Sequence, residues 1–260
     1  MGGAVVEDKR KREAAQAVAA ARKSGGGGRR GVIAGIVIVV ALAAVVGAGL
    51  LLQNRNKPGD LPGAIPLAAA GPQYPVTTQG EAIVTGNPNA PVTIDIYEDF
   101  LCPVCGQFEK FYHQRLAQAA AEGKARVIYH PVAILDELST PPGYSTLAAG
   151  ATICAAEAGV FPRLHDSLFA AQPAEGGRGW TSAQIQQLGR ELGAGDAFAR
   201  CMQSGADQRV AAATEAARRY ISGLRSDGRF GTPSVVVNGT LVNVSDPGWL
   251  DQALLSGTRR

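Results

Sequence analysis

The sequence predicts an α/β domain that carries a helical insertion and follows one membrane-spanning helix. Three observations predict this fold class. An uncharged apolar run of 21 residues lies near the N-terminus. Further on, two runs rich in β-branched residues flank a helical pattern, as in a strand–helix–strand unit. A long stretch without strand patterning then precedes a hairpin and a last helix. The 260 residues are enough for one large domain or two small ones.

The charged residues are unevenly distributed. The net charge is only +3, but residues 1–30 hold eight Lys or Arg against three acids. Residues 1–31 therefore form a basic arm, which sets orientation at a membrane rather than binding nucleic acid. We expect no nucleic-acid partner.

Residues 32–52 form the uncharged run. About 20 apolar residues are needed for a helix to cross a bilayer. Because the basic arm outweighs Arg55 and Lys57 downstream, the N-terminus is expected in the cytoplasm and the rest outside. A buried core helix and a cleavable signal peptide are the alternatives, but signal peptides have a shorter apolar region. The prediction is an uncleaved single-pass anchor in the cell membrane.

A stretch rich in Pro, Gly and Ala follows the anchor. Residues 53–78 show no periodicity and are predicted to be a flexible linker. The folded domain is expected over residues 79–260.

The first half of this domain has the pattern of a parallel strand–helix–strand unit. A short strand is predicted over 81–86 and a buried strand over 92–99. A helix over 103–122 has Phe108, Phe111, Tyr112 and Leu116 at helical spacing. A second central strand follows over 125–132.

The second half is mainly helical. The insertion is expected over about residues 140–222, with Thr181 or Ser182 as a helix N-cap. Its predicted helices cover residues 145–158, 162–171, 182–192, 196–204 and 208–221. A hairpin is predicted over 232–244, because Asn238-Gly239 is a strong turn signal. A last helix is predicted over 247–255.

Cys102 and Cys105 form a Cys-x-x-Cys where the central strand meets the helix. The helix N-terminus favours a thiolate, so the pKa of Cys102 should lie below its usual value. Cys105, one turn later, can form a disulfide with Cys102 or attack a mixed disulfide held on it. Pro103 suits the first helical position. One alternative is half of a zinc site, but the sequence offers no second close pair of ligands, so no metal is expected. The other alternative is a disulfide with a purely structural role.

The stretches "GNPNAPVTIDIYEDFLCPVCGQFEKF" and "GTPSVVVNG" resemble the DsbA-like branch of the thioredoxin superfamily. The resemblance covers about residues 84–255 and is closest to membrane-anchored members from high-G+C Gram-positive (actinobacterial) species. It implies a thioredoxin fold with an inserted helical domain. It also implies that the chain is an enzyme, a protein thiol–disulfide oxidoreductase, without a prosthetic group.

The resemblance assigns roles to several residues. Cys102 would be the nucleophile and Cys105 its resolving partner. Pro233 would be a cis-proline facing the pair, and Thr232 would hydrogen-bond the substrate strand. Pro103 and Val104 would complete the substrate-binding surface. The alternative for Pro233 is an ordinary trans proline at a strand entry.

The chain departs from the family pattern at two positions. Val104 stands where strongly oxidising members have a histidine that stabilises the thiolate, so a weaker oxidant is expected. Ile96 stands where many relatives have a buried acid. Glu98 could serve instead as a proton relay to Cys105, although a solvated or helix-capping acid is the favoured interpretation.

Cys154 and Cys201 both lie in the helical stretch. Outside the cytoplasm the environment favours oxidation, and once Cys102 pairs with Cys105 these two remain for each other. We expect a structural disulfide between two helices. A second redox centre and two unpaired buried cysteines are the alternatives.

The leading hypothesis is an enzyme that introduces disulfide bonds into exported cysteine-containing proteins from the outer side of the membrane. The resemblance implies a quinone-linked membrane oxidase, of the DsbB or vitamin K epoxide reductase-like type, as reoxidant. A reductase or isomerase using the same site is an alternative. A different class is a non-enzymatic sensor or metal-binding module, with copper held by Cys102 and Cys105.

Overall fold

The computed structural model describes residues 63–257, which fold around a six-stranded mixed sheet. The sheet order is β1-β2-β4-β3-β5-β6, in which only the central pair, β3 and β4, is parallel. The strands are β1 (Val76–Gln79), β2 (Ala82–Thr85), β3 (Val92–Glu98), β4 (Ala125–Pro131), β5 (Ser234–Val237) and β6 (Thr240–Val242).

Seven α-helices lie within the described residues. One joins the parallel strands, five lie between β4 and β5, and the last follows the hairpin. They are α1 (Pro103–Ala121), α2 (Tyr144–Glu157), α3 (Phe161–Ala170), α4 (Ser182–Glu191), α5 (Gly195–Gln203), α6 (Ala206–Leu224) and α7 (Trp249–Gly257). Each confirms a predicted helix to within about three residues, because long periodic segments are the most reliable signal in a sequence.

The end of the predicted linker is wrong. Residues 63–78 contact the domain rather than tether it: Ile65 is 3% exposed, and the Ala68 N–H donates to Ser167 Oγ at 2.9 Å. Val76–Gln79 forms an edge strand against β2. This strand has four residues, three of them exposed, so it carries none of the apolar alternation by which strands are recognised.

The two faces of the sheet pack differently. Ile94 and Ile96 of β3 share a large core with Phe108 and Leu116 of α1 and with much of the helical insertion. Strand residues whose side chains point to the other face of the sheet form a smaller cluster with α6. Its members are Tyr97, Val132, Ala217, Ile221 and Val236. The alternation of side chains across a strand therefore places α1 and α6 on opposite faces.

Phe111 differs from the predicted helical face. Phe108 and Leu116 are buried, but Phe111 is 69% exposed. At about 100° per residue, Phe111 lies some 60° outside the arc that runs from Phe108 through Leu116. It belongs to the surface of α1 rather than to the core.

The predicted basic arm (1–31) and membrane helix (32–52) lie outside the described residues. Within residues 63–257, no helix has both the length and the apolar character to cross a bilayer.

Candidate redox site

Strand register brings two distant segments to one edge of the sheet. Tyr97 of β3 pairs with Ser234 of β5 in an antiparallel ladder. Residues that follow β3 therefore meet residues that precede β5. This register places the Cys-x-x-Cys beside Thr232 and Pro233, which are joined by a cis peptide bond.

Cys102 is the N-cap residue of α1. Its backbone is extended, with φ −70° and ψ 116°, and Pro103 begins the helix. The Cys102 carbonyl accepts the Gly106 N–H at 3.1 Å, which closes the first turn. Pro103 and Val104 are exposed, Val104 by 59%, whereas Cys105 is fully buried. Cys102 is itself buried, with 6% exposure, so the small accessible surface of the pair belongs to Cys102 rather than to Cys105.

The two thiols differ in acidity. Hydrogen bonds to the Cys102 sulfur lower its pKa to about 6, the largest effect coming from the Cys105 thiol. The side chain of Thr232 and the backbone N–H groups of Val104 and Cys105 also contribute, against the opposing effect of burial. Burial raises the pKa of Cys105 well above its usual value. Both cysteines are free thiols in this structure, and the pair is poised to carry one thiolate, on Cys102.

Thr232 contacts the reactive sulfur directly. The Cys102 thiol donates to the Thr232 carbonyl at 3.4 Å. When Cys102 is ionised, the Thr232 side chain stabilises the thiolate. Val104 offers no side-chain donor, and the sulfur is stabilised instead by donors from Cys105, from Thr232 and from the helix N-terminus.

Two residues that the sequence did not single out hold the segment before Cys102. The buried Asp99 carboxylate accepts the N–H groups of Leu101 (2.8 Å), Ile134 (2.8 Å) and Leu135 (3.1 Å), and the Ser145 hydroxyl at 2.6 Å. Gln172, just beyond α3, donates to the carbonyls of Phe100 and Cys102 at 3.1 and 2.9 Å. No local pattern indicates Gln172, because its partners lie about 70 residues away.

Gly106 allows the approach of Gln172. A Cβ at position 106 would collide with the Gln172 side-chain oxygen. The glycine after the second cysteine thus permits the amide of Gln172 to reach the Cys102 carbonyl.

The favoured interpretation of Glu98 is wrong. Glu98 is neither solvated nor a cap: it is 1% exposed and lies 2.8 Å from His165 Nε2. Helix α3 covers the end of β3, and its residue His165 forms a hydrogen bond with the Glu98 carboxylate. The described residues contain one group with metal-ligand spacing, formed by Glu109, His113 and His165.

Cys154 and Cys201, which are separated by 47 positions in sequence, form a disulfide that joins α2 to α5 within the insertion. It lies in a different part of the fold from the Cys-x-x-Cys, which stands at the N-terminus of α1.

Comparisons with known proteins agree with this architecture. A family model described as "Thioredoxin" matches residues 78–254. The chain is 33% identical over 177 residues to the serine/threonine-protein kinase PknE of Mycobacterium tuberculosis, covering 65% of this chain and 31% of the kinase. The chain thus spans about a third of the length of the curated relatives it matches.

Solved structures share the fold. The oxidised DsbA of M. tuberculosis is 30% identical, covers 71% of this chain and 92% of its own, and superposes with a TM-score of 0.55. MdbA of Corynebacterium diphtheriae, a thiol-disulfide oxidoreductase, covers 71% of this chain and 95% of its own with a TM-score of 0.60, at 22% identity.

Proposed function

The chain belongs to the thioredoxin family and its domain is of the DsbA type of thiol–disulfide oxidoreductase, and on that premise we propose that it introduces disulfide bonds into exported proteins through Cys102 and Cys105. One observation carries the direction of the reaction. The pKa of Cys102 is lowered to about 6, so the reduced pair holds a stabilised thiolate at neutral pH. Stabilising the reduced form makes the disulfide a stronger oxidant.

The reaction runs in two exchanges. A substrate thiolate attacks Cys102 Sγ of the Cys102–Cys105 disulfide, the S–S bond breaks, and Cys105 leaves as a thiolate that takes up a proton. The second substrate thiolate then attacks the substrate sulfur of the mixed disulfide and releases the Cys102 thiolate. The substrate has lost two electrons and the enzyme has gained them.

The difference in pKa between Cys102 and Cys105 favours transfer of the disulfide to the substrate over re-formation of the Cys102–Cys105 disulfide. A thiol of lower pKa leaves faster, so Cys102 is the better leaving group in the second exchange. Cys105 would attack the mixed disulfide as a thiolate, but burial raises its pKa and keeps it protonated. Transfer of the disulfide to substrate is therefore favoured over return to the starting state.

The surroundings of the pair support a role in binding substrate. Thr232 and Pro233 lie beside Cys102. Pro103 and Val104, the two residues that follow Cys102 in sequence, are exposed. We assign these four residues to the substrate-contacting surface. The backbone groups of Thr232 would align an extended substrate segment, as an added strand does at a sheet edge.

The location and the reoxidant are further parts of the proposal. The apolar run at 32–52 would anchor the chain in the cell membrane, with the N-terminus in the cytoplasm and the domain outside. A quinone-linked membrane oxidase, of the DsbB or vitamin K epoxide reductase-like type, would return the pair to the disulfide.

The deciding experiment is the reduction potential of Cys102–Cys105, measured by equilibrating the protein with glutathione buffers. We expect a value nearer the roughly −120 mV of DsbA than the roughly −270 mV of thioredoxin, but more negative than that of DsbA, because Val104 supplies no side-chain donor to the thiolate. A value near about −270 mV would identify a reductase and overturn the proposed direction. Cys102→Ser and Cys105→Ser should each abolish turnover, because neither variant can form the disulfide that the substrate reduces.

A redox-sensing module is the second candidate. The similarity to PknE covers 31% of that kinase, so a region like this domain forms part of a larger protein there. Under this alternative, Cys102→Ser would remove the response to oxidants, and the wild type would show no catalytic turnover of a reduced protein substrate.

A further inference from the structure

Five ionisable side chains form a continuous network between α1, α3 and the end of β3. His113 Nδ1 lies 3.0 Å from Glu109, and His113 Nε2 lies 3.1 Å from Asp166. His165 Nδ1 lies 3.2 Å from the same oxygen of Asp166, and His165 Nε2 lies 2.8 Å from Glu98. Both nitrogens of both imidazoles therefore face carboxylates.

The network is rich in carboxylates. Glu98, Glu109 and Asp166 each have an oxygen within 3.2 Å of an imidazole nitrogen. A divalent cation bound among these oxygens and nitrogens would offset the negative charge of the carboxylates.

Two carboxylate oxygens in the network have no hydrogen-bond partner within the described part of the chain. They are Glu109 Oε1 and Glu98 Oε2, and both are buried. Glu109 as a whole is 5% exposed. Leaving a buried acceptor unsatisfied costs about 1–3 kcal/mol, more for a charged group, so such an oxygen indicates a missing partner.

We propose that Glu109, His113 and His165 bind one divalent transition-metal ion of the zinc class. One ligand atom of each lies within 4.8 Å of the others, which is close enough for a shared ion after small side-chain movements. Two imidazole nitrogens with one carboxylate oxygen form a ligand set that zinc accepts, with water as the fourth ligand.

The remaining two carboxylates are placed to orient the ligands. Glu98 contacts His165 Nε2 and Asp166 contacts His113 Nε2, so Nδ1 of each ring is the nitrogen assigned to the metal. Nδ1 of His113 faces the ligand Glu109, and Asp166 would turn away from Nδ1 of His165 when the ion binds. Imidazoles that bind metals usually donate their other nitrogen to such a partner. Glu98 and Asp166 are therefore positioning residues, and Glu98 acts through His165.

The site has an entry path. Glu109, His113 and Asp166 line an open pocket of about 570 Å³ that extends along α1 to Gly106. Zinc can reach the buried side chains from this pocket, which also supplies room for the water ligand. Because Glu109 and His113 belong to α1 and His165 to α3, the ion would join the helix of the Cys-x-x-Cys to the insertion.

The test uses the full-length protein with Cys102–Cys105 oxidised. All four cysteines are then in disulfides, so no thiol competes for metal. Calorimetric titration with zinc chloride should show one equivalent bound, and zinc should raise the melting temperature. His113→Gln and Glu109→Gln should each weaken binding by at least tenfold.

His130→Gln is the matched control. The His130 side chain has the same 24% exposure as that of His113 and pairs with one carboxylate, Asp95, at 2.9 Å. It lies outside the network, so this variant should bind zinc as the wild type does.

Two results would overturn the proposal. The wild type would bind no zinc, or His113→Gln and Glu109→Gln would bind zinc as tightly as the wild type does. The first result would identify the network as a set of ion pairs only. Neither result bears on the redox activity, since the cysteines are not ligands.

Discussion

At the scale of single residues, the Cys-x-x-Cys is asymmetric because its two sulfurs have different surroundings. Cys102 receives hydrogen bonds at a helix N-terminus, and Cys105 is enclosed in the core. Neither effect requires a charged neighbour. Val104, whose side chain has no polar group, contributes only its backbone N–H.

Removing the Thr232 side-chain donor should raise the pKa of Cys102. A hydrogen bond to a charged group contributes about 1.5–3 kcal/mol, so Thr232→Val should move the titration midpoint upward from about 6 by roughly one to two pH units. Thiolate absorbance against pH measures the midpoint. Thr77→Val, on edge strand β1, should leave it unchanged. Equal midpoints for both variants would exclude Thr232 as a donor.

The same ionisation makes the stability of the reduced protein depend on pH. The pKa of Cys102 is about 6 when folded and about 8.5 in an unfolded chain, so the unfolded state binds more protons between these values. The stabilising contribution is therefore absent below pH 6 and grows as the pH rises towards 8.

The measurement compares reduced and oxidised protein. The free energy of unfolding of the reduced form, minus that of the oxidised form, should increase between pH 5 and pH 8. Groups other than the two cysteines cancel in this difference. A difference that stays constant with pH would show that Cys102 titrates alike in the folded and unfolded chains.

At the scale of helices and strands, local signals account for most of the observed elements. Thr181 caps α4, and its side chain and that of Gln184 form a reciprocal capping box. Asn238 and Gly239 both have positive φ, 48° and 83°, in the turn between β5 and β6. The Asn238 side chain also accepts the Thr93 N–H at 2.9 Å, which holds the hairpin to β3.

The contact between α4 and α5 depends on a glycine. A Cβ at Gly189 would collide with the buried ring of Phe198. Gly189→Ala should therefore destabilise the protein by about 1–3 kcal/mol, as overpacking does, despite the better helix propensity of alanine. Denaturant unfolding measures the change.

Gly223→Ala is the control for that prediction. Gly223 lies near the end of α6 with no atom within 4 Å of its Cβ position. Its replacement should be neutral or stabilise by up to about 1 kcal/mol. If both variants had the same effect, helix propensity rather than packing would control the α4–α5 contact.

At the scale of the whole domain, one core connects the sheet to the insertion. Ile96 of β3 and Ile153 of α2 belong to the same buried cluster. The Cys154–Cys201 disulfide adds a covalent link between α2 and α5. The insertion is thus a continuation of the domain core.

Removing that disulfide should lower the free energy of unfolding. Closing a loop of 47 residues corresponds to about 4 kcal/mol of chain entropy, an upper-end value. Cys154→Ala combined with Cys201→Ala should cause a loss approaching this size in a denaturant titration. The reduction potential of Cys102–Cys105 should not change. A loss below about 1 kcal/mol would mean that the bridge contributes little to stability.

Local sequence patterns predict five of the six strands and all seven α-helices of residues 63–257, and they place the Cys-x-x-Cys at a strand–helix junction. Hydrophobic periodicity, helix caps and turn residues are local features, so they can be recognised in the amino-acid sequence without knowledge of the fold. The position of Cys102 at a helix N-terminus is likewise local, and it predicts that the pKa of Cys102 is lowered, as it is in the structure. The short, polar strand β1 has no such pattern and was missed.

The groups that surround the two sulfurs come from distant parts of the chain. Thr232 reaches Cys102 across 130 residues, and Gln172 reaches it across 70, through strand register and helix packing. Glu98 meets His165 across 67 residues, which converted an apparently solvated acid into part of a buried network. These contacts depend on where whole elements pack, and no local pattern of residues encodes them.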